Sequence, residues 1–125
     1  MVRIFPFDPK ARLEELRGAA EALGERPEVL AVVLFGSLAQ GQATAMSDAD
    51  LLVLLESSPL DFSERLLLYR PQGVRGVEVF PYTLEEAHRG LREGWGMVRP
   101  ALLSGLPLFE RKGAWASLRS SLGPA

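Results

Sequence analysis

A chain of 125 residues is expected to form one domain over 1–125, and not a multidomain enzyme. Hydrophobic residues make up 47% and charged residues 24%, a globular balance that argues against disorder; the absence of cysteine and the single histidine exclude disulfides, thiol nucleophiles and the common zinc ligand sets. The net charge of −2 divides into −5 over residues 1–61 (5 basic, 10 acidic) and +3 over residues 62–125 (9 basic, 6 acidic), so no single-sign field is present to grip extended nucleic acid.

In chain order, Asp8-Pro9 predicts a helix start, because aspartate caps and proline fits the first turn. Leu13, Leu16, Ala20 and Leu23 then recur at helical spacing, and Gly24 and Pro27 end the helix. Val29–Phe35 is apolar at every position and predicts a strand covered on both faces. Gly36-Ser37 breaks it, and residues 38–49 predict a turn of helix and a loop. Asp50–Glu56 predicts a second strand, closed by Ser57-Ser58-Pro59. Asp61 and Glu64 have the spacing of a capping box, which predicts a helix over 62–70. A turn over Pro71–Gly73 leads to a third strand over 74–80. Thr83 and Glu86 repeat the capping-box spacing and predict a helix to about Arg92. A further helix is expected to end near Ser104-Gly105, followed by an edge strand over Leu106–Glu110, where Pro107 is tolerated, and a last helix over Ala114–Leu122. This interleaving predicts an α/β (α+β) fold: a mixed β-sheet with helices packed mainly on one side. The longest apolar run falls short of the ~20 residues of a membrane span. Residues 1–10 carry two prolines and an aspartate where a signal peptide needs an apolar stretch. A soluble, cytoplasmic protein is expected.

Chemistry concentrates after the first strand. Glycine at Gly36 allows a sharp turn and a close approach of the backbone to a ligand. A turn into a short helix aims N–H groups outward, which suits phosphate oxygens, and Ser37 adds a hydroxyl donor. Asp48 and Asp50, two apart at a strand start, lie on one face. Two carboxylates about 6 Å apart repel by about 3 kcal/mol at an effective dielectric near 20. No lysine or arginine occurs between Arg26 and Arg65 to neutralise them. A divalent cation is the natural counter-charge, and oxygen-only ligands favour Mg2+, with Mn2+ as a substitute. Glu78, between two valines in the third strand, is costly unless it faces water, an ion or a partner. If that strand lies beside the second, the three carboxylates can clamp two metal ions for phosphoryl displacement.

Gly36-Ser37-Leu38-Ala39-Gln40-Gly41, then Ser47-Asp48-Ala49-Asp50-Leu51, then a later acid at Glu78, resemble the nucleotidyltransferase superfamily that includes DNA polymerase beta. The resemblance covers roughly residues 10–110. The length is similar to that of the minimal nucleotidyltransferases, which act as antitoxins beside small all-helical HEPN-type toxins. The resemblance implies the nucleotidyltransferase fold and transfer of a nucleotide, AMP from ATP, to a hydroxyl such as a tyrosine of the HEPN-type partner. By the same resemblance, Gly36 and Ser37 would hold the β and γ phosphates. Asp48 and Asp50 would bind both Mg2+ ions. Glu78 would bind the ion that activates the attacking hydroxyl and help take its proton. Leu38 and Gln40 stand where many relatives carry arginine, which weakens the grip on phosphate, and Glu78 stands where aspartate is more common.

Two other readings stand beside this one. One is a catalytically inert antitoxin that neutralises its partner by binding. The other is a nucleotidyltransferase acting on a small drug molecule, whose relatives usually carry an added helical domain. Leu66-Leu67-Leu68-Tyr69 is expected to be core, or else a partner patch. Trp95 and Trp115 are expected in core or interface packing, and His88 at the surface. One of Arg65, Arg70 and Arg75 is expected to supply the phosphate charge that Leu38 and Gln40 lack. No membrane association is expected, and homo-oligomers are left open.

Overall fold

The computed structural model describes residues 8–36, 39 and 48–122. Nine elements follow in order: α1 (Pro9–Gly24), β1 (Val29–Phe35), β2 (Ala49–Leu55), α2 (Phe62–Leu68), β3 (Val77–Thr83), α3 (Leu84–Glu93), α4 (Val98–Ser104), β4 (Leu106–Glu110) and α5 (Ala114–Ser120). The four strands form one mixed sheet in the order β3-β2-β1-β4. β1 runs antiparallel to β2 and β4, while β2 and β3 are parallel and joined through α2.

The local signals are explicit. Asp8 accepts from the N–H groups of Lys10 and Ala11, and Pro9 opens α1. Both capping boxes form: Asp61 with Glu64 at α2, and Thr83 with Glu86 at α3. Leu106–Glu110 is the edge strand that its proline requires.

β1 and β2 are buried on both faces, and so their side chains feed two cores. One core gathers Val32, Leu34, Leu51, Val53 and Leu55 under Leu16, Ala20 and Leu23 of α1, with Tyr69 just after α2. The other gathers Val33, Phe35, Leu52 and Leu54 under Ala87, Val98, Leu102, Trp115 and Leu118. The heavier helical layer, α3 to α5, thus lies on one face and α1 covers the other. Among the described residues, no helix is long and apolar enough to cross a membrane.

Two expectations need correction. The third strand runs 77–83 rather than 74–80, because Gly76 turns the chain with φ +65° just before it. The leucines after Arg65 are not core: Leu67 is 76% exposed and Leu66 and Leu68 are also exposed, whereas Tyr69 alone is buried. A helix of seven residues beside the sheet edge can bury only a narrow stripe. Trp115 packs in the core, but Trp95 is exposed and borders the ring of Tyr82.

Candidate active site

β1 and β2 are paired so that Phe35 faces Asp50, and β2 and β3 so that Asp50 faces Glu78. Residues in register on neighbouring strands carry their side chains on the same face. Asp50 and Glu78 therefore stand side by side, on the face that carries Leu52 and Phe80. Gly36 follows directly on Phe35. Across β1, β2 and β3 the order is the glycine turn, Asp50, then Glu78.

Gly36 has a φ of +84°, a conformation that favours glycine, and a Cβ there would stand 2.6 Å from Asp50 Oδ2. The Asp50 carboxylate occupies the space that the missing side chain leaves. Only glycine allows both the turn and the carboxylate at this spot. Burial pushes the Asp50 carboxyl above the ordinary carboxylate range, and the charges of Glu78 and Asp48 push it further in the same direction. Glu78 and Asp48 are exposed, and Asp48 precedes β2 at the sheet end.

Sequence reasoning missed Arg12. Its guanidinium reaches from α1 to donate to the carbonyls of Arg75 (2.8 Å) and Gly76 (2.9 Å), and it pairs with Glu15 at 2.6 Å. Gly76 in turn accepts from Ala49 N–H at 2.7 Å, between Asp48 and Asp50. A Cβ at Gly76 would lie 3.3 Å from both Arg12 Nη2 and Asp48 Oδ1, so the cation and the acid stand against one glycine. Arg12 is 63 residues from Arg75, and no local signal in the sequence marks this contact.

The structure thus brings Gly36, Asp48, Asp50 and Glu78 to one end of the strand pair. Ser37 lies outside the described residues, as do Leu38 and residues 40–47. Among the described residues, no three acidic or histidine side chains form a ready-made metal cage. Of the three arginines considered as a phosphate charge, Arg65 is excluded. It is buried, bound to Glu86 and to the carbonyls of Leu60 and Pro81, and Pro81 lies in the far half of β3. Arg70 lines a cleft with Glu78.

Residues 19–75 match the family model for polymerase beta nucleotidyltransferases. No curated protein matches the chain in sequence. Among solved structures, a candidate nucleotidyltransferase from Sulfolobus solfataricus is 17% identical, with a TM-score of 0.60 over 83% of this chain and 85% of that one. A chain of a toxin–antitoxin complex with AMP-PNP is 19% identical, with a TM-score of 0.51 over 92% and 83%. A chain of the complex between a tri-AMPylated Shewanella oneidensis HEPN toxin and its MNT antitoxin is 14% identical, with a TM-score of 0.51 over 91% and 82%. This chain has the nucleotidyltransferase fold, and its residues 19–75 are similar to the polymerase beta nucleotidyltransferase family.

Proposed function

We propose that the protein transfers a nucleotide, AMP from ATP, to a hydroxyl of a HEPN-type helical partner, a tyrosine by preference, and thereby acts as its antitoxin. One observation carries the reading: Asp50 in register with Glu78 on one face, pressed against the Gly36 turn. The solved toxin–antitoxin complexes of the same fold, one with AMP-PNP and one with an AMPylated HEPN toxin, support the choice of nucleotide and partner.

Asp48, Asp50 and Glu78 suit a pair of Mg2+ or Mn2+ ions, because every donor is a carboxylate oxygen and the like charges around Asp50 are relieved by a cation. Bound divalent ions would supply charge neutralisation of the phosphates and polarisation of the attacking hydroxyl. The chain's own residues do the rest. Gly36 makes the turn that sets Asp50 against the chain, and Gly36 and Ser37 would hold the β and γ phosphates. Glu78 accepts the proton of the hydroxyl. The hydroxyl oxygen bonds to the α-phosphorus as the bond from that phosphorus to the bridging oxygen breaks, and pyrophosphate leaves. Arg12 is a positioning residue: it fixes the Gly76 carbonyl against which Ala49, between the two aspartates, is held.

The exposed leucines of α2 favour a second reading, an antitoxin that neutralises by binding alone. The test is incorporation of labelled AMP into a co-expressed HEPN-type protein. The expected result is labelling by the wild type and none by an Asp48→Ala, Asp50→Ala double variant. Equal labelling by both refutes the chemistry, and full rescue from the toxin by the double variant favours binding alone.

A further inference from the structure

The outer edge of β3 changes character along its length. In a parallel pair, the N–H and C=O of one residue point to the same side, and successive residues alternate. Gly76 turns its carbonyl to Ala49, so Glu78, Phe80 and Tyr82 face β2 while Val77, Val79 and Pro81 face outward. At Pro81 the outer edge is closed, because proline has no N–H and its carbonyl accepts from Arg65 Nη1 at 3.0 Å. At Val77 and Val79 no backbone partner occurs on the outer side among the described residues. That open stretch borders a cleft of about 430 Å³, within the roughly 300–1,000 Å³ of ligand pockets. Phe62, Leu66 and Phe80 give the cleft apolar walls, and Arg70 and Glu78 give it one charge of each sign. Arg70 is exposed and makes no ion pair among the described residues, unlike Arg12, Arg65 and Arg89.

We propose that an extended segment of the acceptor protein adds to the sheet as a strand beside β3, pairing its main chain with Val77 and Val79. It sets a hydroxyl-bearing residue in register with Glu78 and an acidic side chain on Arg70. The identity of the hydroxyl rests on the transfer reading above; the docking itself does not. Three observations converge. The outward N–H and C=O groups of an edge strand are complementary to an extended peptide. The row from Gly36 to Asp50 to Glu78 leaves the β3 side as the approach opposite the phosphate turn. A residue added opposite Glu78 shares its face, and with strands about 4.8 Å apart its backbone stands about 10 Å from that of β2. A long side chain such as tyrosine spans toward Asp50, whereas serine stops short. Arg70 supplies the charge that selects an acidic flank.

The test uses acetylated heptapeptides with tyrosine fixed at the centre and all other positions randomised, selected on the full chain without nucleotide. The tightest binder is titrated into ¹⁵N-labelled protein. The expected results are protection of the Val77 and Val79 amides from exchange, selection of an acidic residue whose advantage falls about threefold in Arg70→Ala, and weakening by at least about tenfold when the two facing peptide amides are N-methylated. No binder, shifts that map away from β3, or indifference to N-methylation overturns the proposal. So does ATP that displaces the peptide by occupying the same amides, which makes the cleft a nucleoside site. Peptide binding by the Asp48→Ala, Asp50→Ala variant supports the docking even where no AMP is ever transferred, so the two readings fail separately.

Discussion

The two ends of the β2–β3 pair handle charge in opposite ways. At the end where the strands finish, Glu86 receives two bonds from the Arg65 guanidinium and one from the Thr83 N–H. Those partners, Arg65 first, hold its carboxyl below the ordinary range. Beside it, Tyr69 donates to Glu28 at 2.6 Å, ahead of β1. At the end where the strands begin, Asp50 has two acids for neighbours and a carboxyl held above the ordinary range. One end is a closed structural clasp. The other keeps an acidic cluster, an arrangement that a cation or a proton relieves.

Breaking the open end should have the largest effect. On the proposed reading, an Asp48→Ala, Asp50→Ala variant is expected to lose nucleotide transfer by about a thousandfold or more, since several kcal/mol of charge stabilisation would go with these carboxylates, while circular dichroism shows the fold retained. Breaking the clasp should instead cost stability. Arg65→Ala leaves Glu86 with the Thr83 N–H but no counter-charge, and the Leu60 and Pro81 carbonyls without their donor, and is expected to cost about 3 kcal/mol in denaturant unfolding. Tyr69→Phe leaves Glu28 without its donor, and a loss of about 1–2 kcal/mol is expected. The Tyr69 hydroxyl, pushed up to about 12 by burial and by Glu28, contributes stability that is complete below pH 10 and lost between pH 10 and about 12, and alkaline unfolding of wild type against Tyr69→Phe reads that loss.

The smallest effects carry opposite signs. Asp50 favours its protonated form in the folded chain, so stability falls as pH rises through its raised value. Glu86 favours its charged form, so stability falls as pH drops through its lowered value. With no metal present, Asp50→Asn should raise the unfolding temperature by about 3 °C, the scale of somewhat under 1 kcal/mol after solvent screening. Glu86→Gln should lower it. Equal signs in the two variants would erase the distinction between the ends.

Much of this was legible in the residues. Val29–Phe35 was read to its limits because every position is apolar, and both capping boxes because their side chains act within one turn. Asp50 and Glu78 could be proposed as neighbours, but their register depends on how β2 pairs with β3, which no local pattern states. β3 starts and ends three residues later than 74–80, because Gly76 turns the chain before it and Pro81, at an outward-facing edge position, disturbs no ladder bond. The leucines of α2 looked like core because hydrophobicity alone does not say how short a helix is or where it sits. Arg12 was invisible for the same reason as the register: its partners are 63 and 64 residues away.

The most direct test of the acidic end is Mn2+ binding to the full chain, followed by electron paramagnetic resonance with AMP-PNP present, across pH 4–8. Binding should tighten as pH rises through the raised Asp50 value and should vanish in the Asp48→Ala, Asp50→Ala variant. Undiminished binding by that variant would contradict the assignment of these carboxylates as the site.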